Sequence, residues 1–568
     1  MKTIYKKSTA LIALSLLIGL GACESIELDV NENPNTATPA NSDINLLLNG
    51  AMLNFSKWLG EEDEDNRIGF EAGMEVVRML HMYGPLYENA FQPGDFDDVW
   101  RQAYGGHLSD IQTIKNLSDE IELYHHKGVA QILESYTLTT LVDYFGDVPY
   151  STAFQGSEEL NASLDDDAEV YNVALNLLDE AIDNLALAPA TSIPATGDIF
   201  YFGDTTKWAT LAKTLKLRIY NNTRLVDPNA SLAGINALLA EGDLIDGTNS
   251  LDEPSNEDFA VYYGTNASAP DVRHPQFINN YQNTPSGEYM NMYFMNLMVN
   301  GFASGPDPRT RYYFYRQVDE FPPETAQGIF DFPCLAESFP THYTQGVDAF
   351  CTSIGDGYWG RIHGDAQGLP SDSDKITTWG TYPIGGKFDN NAFEAVGISS
   401  GMGGAGINPL LLTSFVYFIR AEAALTLGTS DNDIEMLREG IWSSLNKVVN
   451  FDPNTAGSTF APTDEDLNIY VQEILTDYVG AESDEERLNI IMTQAYIASW
   501  GNVVEAYNNY RRTGMPLDMT PTQLENSGSF IRSFKYPSVA IDNNPNIEPK
   551  ANQAVKVFWD LDTADLDF

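Results

Sequence analysis

The sequence predicts a mainly α-helical protein in which helix pairs form a scaffold and a large loop-rich insertion carries little β structure. Apolar residues recur with helical spacing in residues 46–242 and again in residues 407–512. Between these groups, residues 243–406 are rich in Gly, Pro, Asn, Tyr and Trp, and helical spacing is intermittent. Loop-rich stretches of this length are uncommon unless they carry function. We therefore predict one domain over residues 46–568, with the loop-rich region as its ligand lobe and residues 513–568 as an irregular tail.

The helices of the first group are predicted from apolar residues spaced three or four apart, which places them on one helix face. These runs fall within residues 100–117, 129–141, 170–185 and 208–219. Asp204 precedes the last run and is placed to cap its N-terminus. The short polar breaks between the runs favour stacked antiparallel helix pairs, although the sequence contains no clean repeat of fixed length.

The second group is predicted to contain four further helices, at residues 408–427, 433–449, 463–478 and 485–511. Arg511 and Arg512 close the longest of these runs, where cations interact favourably with the last carbonyl groups of a helix. In the first group, Arg218 is expected to lie on the polar side of its helix. We interpret these three arginines as residues of the fold.

The N-terminus has the layout of a secretory signal followed by a lipidation site. Three lysines precede an apolar run over residues 10–20, which is too short to span a membrane. Cys23 follows two small residues where that run ends, and this ending resembles a bacterial lipobox, in which the cysteine is lipidated and becomes the new N-terminus. We therefore predict a signal peptide over residues 1–22 and a lipidated acidic tether over residues 23–45. The alternative is ordinary signal cleavage, with Cys23 as a bystander.

The net charge of −50, from 81 acidic and 31 basic residues, argues against nucleic acid as a partner. Such a surface also repels anionic lipid, so a lipid on Cys23 is the predicted contact with the membrane. The remaining cysteines are Cys334 and Cys351. Because an exported protein meets a non-reducing environment, a disulfide between them is one prediction, and two separate buried thiols are the alternative.

Short motifs follow one another along the chain in a fixed order. They are NENPN at 31–35, LVDYFGDVPY at 141–150, YFGD at 201–204 with KW at 207–208, LKLR at 215–218, DPR at 307–309, RAEA at 420–423, EA at 505–506, RRTGMP at 511–516 and YP at 536–537. Each motif alone is weak, but their order is specific. The chain resembles the SusD/RagB family of Bacteroidetes outer-membrane lipoproteins over nearly its whole mature length. This resemblance implies a SusD-like fold with a degenerate TPR-like scaffold of helix pairs.

The resemblance also implies a function in nutrient capture. Members of the family sit on the outer face of the outer membrane, cap a TonB-dependent SusC-like barrel and capture oligosaccharide for import. For this chain it implies a lipid-anchored protein that faces outward, binds oligosaccharide or polysaccharide and delivers it to such a barrel. A RagB-like lid that captures peptides is one alternative, and a purely structural lid is another.

Glycan-binding sites combine flat aromatic rings with polar side chains. The densest mixtures of both lie in residues 81–95 and in the loop-rich region. The best cluster is Trp359 beside Arg361, His363 and Asp365, and the other candidates are Trp379, Tyr382, Tyr289, Tyr293 and Tyr83. Each aromatic residue taken alone is more often a core residue than a ligand residue. If Trp359 contacts glycan, its replacement by alanine weakens glycan binding with little change in the melting temperature.

We predict a binding protein that is not an enzyme. The metal-ligand spacings His-Glu-x-x-His and Cys-x-x-Cys do not occur in the sequence. Residues 401–406 match Gly-x-Gly-x-x-Gly but lack the strand before it that a nucleotide site requires, so we interpret them as a loop. The acidic run at residues 61–66 offers oxygen ligands that suit Ca²⁺, although a solvated loop is the simpler interpretation. No cofactor and no metal site are predicted.

Overall fold

The computed structural model describes residues 43–60, 71–156, 160–187, 192–247, 257–268, 271–278, 281, 289–322, 328–329, 332–355, 357–366, 375–384, 387–561 and 566. Cys23, the predicted tether up to residue 42 and the acidic run 61–66 lie outside the described residues. The described residues after Asp43 form one compact unit. Within them, every helix is too short or too polar to cross a membrane.

Helices dominate the first part of the chain, which confirms the predicted fold class. They are α1 (Ile44–Gly60), α2 (Ala72–Val76), α3 (Tyr87–Ala90), α4 (Asp97–Gln102), α5 (Leu108–Ile121), α6 (Tyr124–Phe145), α7 (Asp167–Ala186), α8 (Thr205–Asn222) and α9 (Pro228–Glu241). A π-helical segment, Ala103–His107, joins α4 to α5, so the single helix predicted over 100–117 is three segments. Helices α6 to α9 pack consecutively against one another. A two-stranded antiparallel pair, β1 (Val148–Pro149) and β2 (Leu164–Asp165), lies between α6 and α7 in sequence.

Side-chain caps fix where α7 and α8 begin. The Asp204 carboxylate accepts hydrogen bonds from the backbone N–H groups of Thr206 and Lys207, at 3.0 and 3.3 Å, which confirms the predicted cap. Asp166 caps α7 in the same way. Helix α6 is buried along nearly its whole length, so it forms the centre of this helical group.

The loop-rich region forms little β structure among its described residues. It contains β3 (Phe259–Tyr263) and the short helices α10 (Pro275–Phe277), α11 (Met292–Asn300) and α12 (Thr310–Tyr313). Strand β3 pairs antiparallel with β4 (Gly406–Leu411), with Val261 opposite Asn408. Residues 408–411 therefore belong to a strand and not to the helix predicted over 408–427. Pro409 disfavours helical backbone in the residue before it, and a short buried apolar run does not distinguish a strand from a helix.

The second helical group returns after β4. It contains α13 (Thr413–Leu427), α14 (Asp433–Val449), α15 (Asp464–Gly480), α16 (Asp484–Ala498), α17 (Val503–Thr513) and, in the tail, α18 (Ser538–Asn543). The long helix predicted over 485–511 is thus two helices. Gly501 has φ +87° between them, a left-handed conformation that helical backbone does not tolerate. Asn502 then caps α17, and its side-chain amide also donates to the carbonyl of Pro409 at 2.9 Å.

Four buried polar side chains join three helices at the centre of the scaffold. Arg218 of α8 forms ion pairs with Glu505 of α17 and with Asp143 of α6, the latter at 3.4 Å. Asn508 of α17 donates a hydrogen bond to Asp143 at 2.6 Å. We call these four residues the Arg218 cluster. The burial of Arg218 corrects the prediction that it lies on the polar side of its helix, because its partners are 75 and 287 residues away in sequence.

A second buried ion group centres on Glu422 of α13. Glu422 pairs with Arg512 of α17 at 2.6 Å and with Arg224 at 2.8 Å. Burial favours a raised pKa for Glu422, but the two guanidinium groups outweigh it and lower the pKa to about 2. Arg511 and Arg512, which the sequence places near the last carbonyl groups of a helix, are both buried in polar contacts with other parts of the chain.

The Arg218 cluster predicts a large loss of stability on removal of its cation. In Arg218→Met we expect the free energy of unfolding to fall by about 3–5 kcal/mol, because Asp143 and Glu505 are then left buried without their charge partner. The control is Lys216→Met on the same helix, whose partner Asp179 is mostly exposed; it should cost no more than about 1 kcal/mol. Urea unfolding followed by tryptophan fluorescence measures both. Equal losses in the two variants would contradict the assignment of the cluster.

Two buried histidines make stability depend on pH. Burial lowers the pKa of His107 and of His274 to about 3. Both rings stay neutral in the folded protein at pH 5, whereas an unfolded histidine, with a pKa of about 6.5, binds a proton there. Since the unfolded state binds more protons, the contribution of each ring is complete above about pH 6.5 and is lost as the pH falls.

We expect each of these histidines to lower the free energy of unfolding by about 2 kcal/mol between pH 7 and pH 5. Urea unfolding at pH 7 and at pH 5 measures this decrease in the free energy of unfolding. In His107→Gln the decrease should be about 2 kcal/mol smaller than in the wild type. His342→Gln, at a partly exposed ring, is the matched control. A wild-type pH dependence in His107→Gln would show that this ring does not carry the effect.

Candidate functional site

Two of the regions predicted to carry candidate residues lie next to each other in the structure. The N–H of Arg361 donates to the carbonyl of Met290 at 3.0 Å, and the N–H of Met292 donates to the carbonyl of Arg361 at 2.9 Å. The N–H of His81 donates to the carbonyl of Tyr289 at 2.9 Å. Backbone hydrogen bonds therefore bring together three stretches that are far apart in sequence.

The C-terminal tail completes this part of the surface. The N–H of Gln523 donates to the carbonyl of His363 at 2.8 Å, and the Gln523 side chain donates to Glu337 at 2.8 Å. A ring nitrogen of His342 lies 2.8 Å from the carbonyl of Thr522. Sequence reasoning missed Glu337 and Gln523, because each lies in a stretch without a local signal and they meet only in the folded chain.

Tyr83 has the most exposed ring among the nine predicted residues. The residue is 54% exposed, and its hydroxyl donates to the carbonyl of Ala366 at 3.2 Å. The rings of His81 and Tyr83 pack edge to face, and their centroids are 6.3 Å apart. The hydrogen bond of its hydroxyl and the contact with His81 therefore position Tyr83, while more than half of the residue faces solvent. We use the name Tyr83 face for the exposed Tyr83 and the partly buried Glu337 and Gln523, together with the buried pair Arg361 and Asp365.

Residues of the Tyr83 face also line a small cavity. The cavity has a volume of about 20 Å³, enough for about one water molecule and too small for a sugar ring. Its lining includes Arg361, Asp365, Glu337, Tyr289, Trp359, Phe332 and the two cysteines. Cys334 and Cys351 are joined by a disulfide, so a covalently closed loop forms one wall.

Trp359, the centre of the predicted cluster, is a buried residue with only 1% of its surface exposed. Its ring centroid lies 4.8 Å from that of Phe332 and 6.2 Å from that of Phe321. With Tyr289, Cys351 and Ile376 it belongs to an apolar cluster separate from the main core. The ring offers no free face to a sugar, and its removal leaves a cavity. The expectation that Trp359→Ala leaves the melting temperature nearly unchanged is therefore withdrawn.

Arg361 and Asp365 form the charged centre of this region. A guanidinium nitrogen of Arg361 lies 3.0 Å from a carboxylate oxygen of Asp365, and the guanidinium carbon lies 4.4 Å from the centroid of the Tyr289 ring. His81 contacts the carbonyl of Asp365 at 3.0 Å. Burial lowers the pKa of His81 to about 4, with a further lowering by Arg361 that Asp365 opposes. Burial also lowers the pKa of His363, so both rings are neutral near pH 7.

The structure places the remaining aromatic candidates in the core. The Trp379 ring lies 5.8 Å from the Trp500 ring, and Tyr382 forms a backbone bridge with Ile407. Tyr293 is buried on α11, with its hydroxyl donating to Asp518 at 3.0 Å. All three rings are almost completely buried, so we assign Trp379, Tyr382 and Tyr293 to packing. Aromatic composition alone does not separate rings in the core from rings on the surface.

Metal and nucleophile motifs find little support in the described residues. Asp147, Asp166 and Asp167 bring carboxylate oxygens within 4.8 Å of one another. Each of these carboxylates accepts hydrogen bonds from the backbone. Asp166 caps α7, Asp147 accepts a hydrogen bond from the Asp167 N–H at 3.0 Å, and Asp167 accepts one from the Phe558 N–H at 2.8 Å. Residues 397–401 match Gly-x-Ser-x-Gly, but this stretch and residues 401–405 are turns and loops without the strand before and helix after that such a nucleophile requires.

Solved structures share this fold. A protein described as chitin-binding is 18% identical, with a TM-score of 0.65 over 92% of this chain and 100% of its own. A chitin-binding SusD homologue from Flavobacterium johnsoniae is 18% identical, with a TM-score of 0.63 over 91% of this chain and 99% of its own. A SusD homologue from Bacteroides fragilis is 20% identical, with a TM-score of 0.63 over the same shares of the two chains.

Family models match both helical groups of the sequence. Residues 36–329 match a SusD-like family described as starch-binding and associating with the outer membrane. Residues 404–565 match the family of SusD and RagB outer-membrane lipoproteins. A search of curated protein sequences gave no match. Because the first match alone covers more than half of the chain, the protein belongs to the SusD/RagB family of outer-membrane lipoproteins.

Proposed function

We propose that this protein is a carbohydrate-binding lipoprotein of the outer membrane that delivers oligosaccharide to a SusC-like TonB-dependent transporter. Family membership carries this proposal, because the matched residues 36–329 and 404–565 include both helical groups that hold the loop-rich region. A binding protein, rather than an enzyme, also agrees with the contacts of the Tyr83 face, where Arg361 pairs with Asp365 and Glu337 accepts a hydrogen bond from the Gln523 amide.

The Tyr83 face offers the chemistry that a sugar requires. The exposed ring of Tyr83 can stack on the C–H face of a sugar, which is apolar. The partly buried Glu337 carboxylate can accept hydrogen bonds from sugar hydroxyl groups, and the Gln523 amide can both donate and accept them. Asp365 is buried and paired with Arg361, so it holds that guanidinium group in place. The adjacent cavity is too small for a sugar, so the ligand lies on the surface across Tyr83.

In this proposal Trp359 supports the site without touching the ligand. Its indole fills the apolar cluster that includes Tyr289, and the Tyr289 ring lies against the guanidinium group of Arg361. The disulfide between Cys334 and Cys351 closes the loop that carries Glu337. The apolar cluster and the disulfide together fix the polar side chains before a ligand arrives, which lowers the entropic cost of binding.

Starch and chitin oligosaccharides are the first ligands to test, since the family description names starch and two similar structures are described as chitin-binding. We expect Tyr83→Ala to lower the affinity for the bound oligosaccharide about tenfold, through loss of the stacking ring, with an unchanged melting temperature. Affinity electrophoresis and isothermal titration calorimetry measure the affinity. Tyr262→Ala is the matched control, because Tyr262 is 52% exposed on β3.

Trp359→Ala separates support of the site from contact with the ligand. We expect it to lower the free energy of unfolding by about 3–5 kcal/mol, as loss of a buried aromatic ring does. A different result would show that Trp359 contacts the ligand and Tyr83 does not. In that case Tyr83→Ala would bind with wild-type affinity, whereas Trp359→Ala would bind weakly and keep its full stability. Binding of peptides but of no oligosaccharide would favour the RagB-like alternative.

The membrane anchor and the transporter partner form a separate part of the proposal. Cys23 lies outside the described residues, and a lipid on its sulfur is the proposed tether. In the native host we expect Cys23→Ala to lose incorporation of an alkyne fatty acid and to leave the outer-membrane fraction. The wild-type protein, extracted in detergent, should copurify with a TonB-dependent barrel identified by mass spectrometry. A Cys23→Ala variant that stays in the membrane would disprove the lipid anchor.

A further inference from the structure

An open polar groove lies between α1 and the segment that joins α4 to α5. Its volume is about 410 Å³, comparable to pockets that bind small ligands, whereas the cavity beside Trp359 has about 20 Å³. The groove is lined by Asn54, Lys57, Arg101, Gln102, Gly105 and Gly106. Two of these residues are cationic, two carry a carboxamide and the other two are glycines, so the lining contains no carboxylate and no large apolar side chain.

The groove presents two cations, Lys57 and Arg101, in a chain that is strongly acidic overall. The chain has 81 acidic and 31 basic residues, whereas the residues that line the groove include two basic ones and no acidic one. Arg101 pairs with Asp98 at 2.6 Å and with Asp97 at 3.5 Å, but its side chain is 51% exposed. Exposed pairs within one helix contribute little free energy, so Arg101 can turn to an anionic ligand at small cost. Lys57 is exposed on α1.

Both walls of the groove are fixed by buried contacts. The indole N–H of Trp58 on α1 donates to the carbonyl of Val99 on α4 at 3.0 Å. The His107 ring lies 5.1 Å from the Trp58 ring and 5.8 Å from the Phe55 ring, measured between centroids. A ring nitrogen of His107 in turn lies 3.0 Å from the hydroxyl of Thr137 on α6. The groove therefore has its shape before any ligand binds.

The floor of the groove is the π-helical segment Ala103–His107. The helical backbone is interrupted within this segment at Gly106, whose φ of −105° and ψ of −115° are not helical. At Gly105 and Gly106, apart from the adjacent residues and the helix's own backbone, no atom lies within 4 Å of the position that a Cβ would take. A side chain introduced there would extend into open space without a clash, so glycine leaves room that a larger residue would fill.

We propose that the groove binds an acidic sugar residue of an oligosaccharide, one that carries a carboxylate or a sulfate ester. Arg101 and Lys57 bind the anionic group, with the guanidinium suited to two parallel hydrogen bonds. The amides of Asn54 and Gln102 match sugar hydroxyl groups, because an amide and a hydroxyl each both donate and accept. A groove of about 410 Å³ has room for the sugar ring as well as its charged group.

This inference names the substrate class and rests on the proposed carbohydrate binding, but at a site separate from the Tyr83 face. A surface that is strongly negative overall repels acidic glycans. In the groove, Lys57 and an Arg101 that turns away from Asp97 and Asp98 offer such a glycan two cations. The interaction involves exposed cations, so it weakens as salt is added.

Titration calorimetry of the full chain tests the proposal with four tetrasaccharides, in two pairs of an acidic form and its neutral counterpart. They are oligogalacturonate, its methyl ester, and a sulfated galactan fragment with its desulfated form. We expect at least one acidic form to bind about tenfold more tightly than its neutral counterpart, and this difference to shrink between 50 and 500 mM salt. The two acidic probes distinguish carboxylate from sulfate recognition.

Two variants locate the binding. Lys57→Gln should lower the affinity for the acidic form about tenfold, and Gly105→Gln, which fills the groove without adding charge, should abolish the preference for it. Lys556→Gln, at an exposed lysine outside the groove, is the control. Equal affinity for acidic and neutral forms, or wild-type behaviour of Gly105→Gln, would overturn the proposal. Competition by inorganic sulfate as strong as by the sulfated tetrasaccharide would also overturn it, since sugar recognition would then be absent.

The variant Tyr83→Ala keeps the two proposals distinguishable. If the groove variants bind acidic probes like the wild type while Tyr83→Ala does not, the Tyr83 face alone binds carbohydrate and the groove proposal fails. If Tyr83→Ala has no effect while Lys57→Gln and Gly105→Gln do, the groove proposal stands and the assignment of the Tyr83 face fails.

Discussion

Pairing of the buried Arg218 with Asp143 and Glu505 is the constraint on which the rest of the structure depends. A guanidinium group removed from water costs several kcal/mol unless carboxylates compensate it. Here the two carboxylates come from α6 and α17, on opposite sides of the loop-rich region in sequence. The chain must therefore leave the first helical group, form the loop-rich region and return so that α17 lies against α6 and α8.

The same requirement applies at Glu422, whose partners Arg224 and Arg512 also come from both helical groups. Two buried ion groups are directional in a way that apolar packing is not, because a charge tolerates only a partner at the correct distance and angle. The helical scaffold is consequently held in one arrangement. Loops attached to such a scaffold can differ in sequence without changing the fold, and this fits structures of the same fold at 18–20% identity.

Local rules in the sequence predicted the parts of the fold that are local. Helices α7 and α8 and the cap Asp204 follow from spacing and side-chain chemistry within a few residues. The predictions were wrong where contacts with residues distant in sequence determine the structure. Residues 408–411 form a strand because β3 is beside them, and Arg218 is buried because its acids arrive from elsewhere. For the candidate site, composition found the stretches that meet at the Tyr83 face, but burial removed Trp379 from the candidates.

The contrast between the cavity beside Trp359 and the groove beside Lys57 indicates how ligand affinity is divided in this protein. The aromatic rings around Trp359 pack against one another and do not contact a ligand. They contribute to its affinity only because they hold Arg361 and Asp365 in place. In the groove Lys57 and Arg101 are exposed, and the contact of Trp58 with Val99 fixes the helices that carry them. Affinity on such surfaces comes from a few exposed groups held in place, because each group that is ordered before binding costs no entropy when the ligand arrives. A ligand that reached both surfaces would gain from each of them, and its net charge would then decide how far the acidic remainder of the surface opposes it.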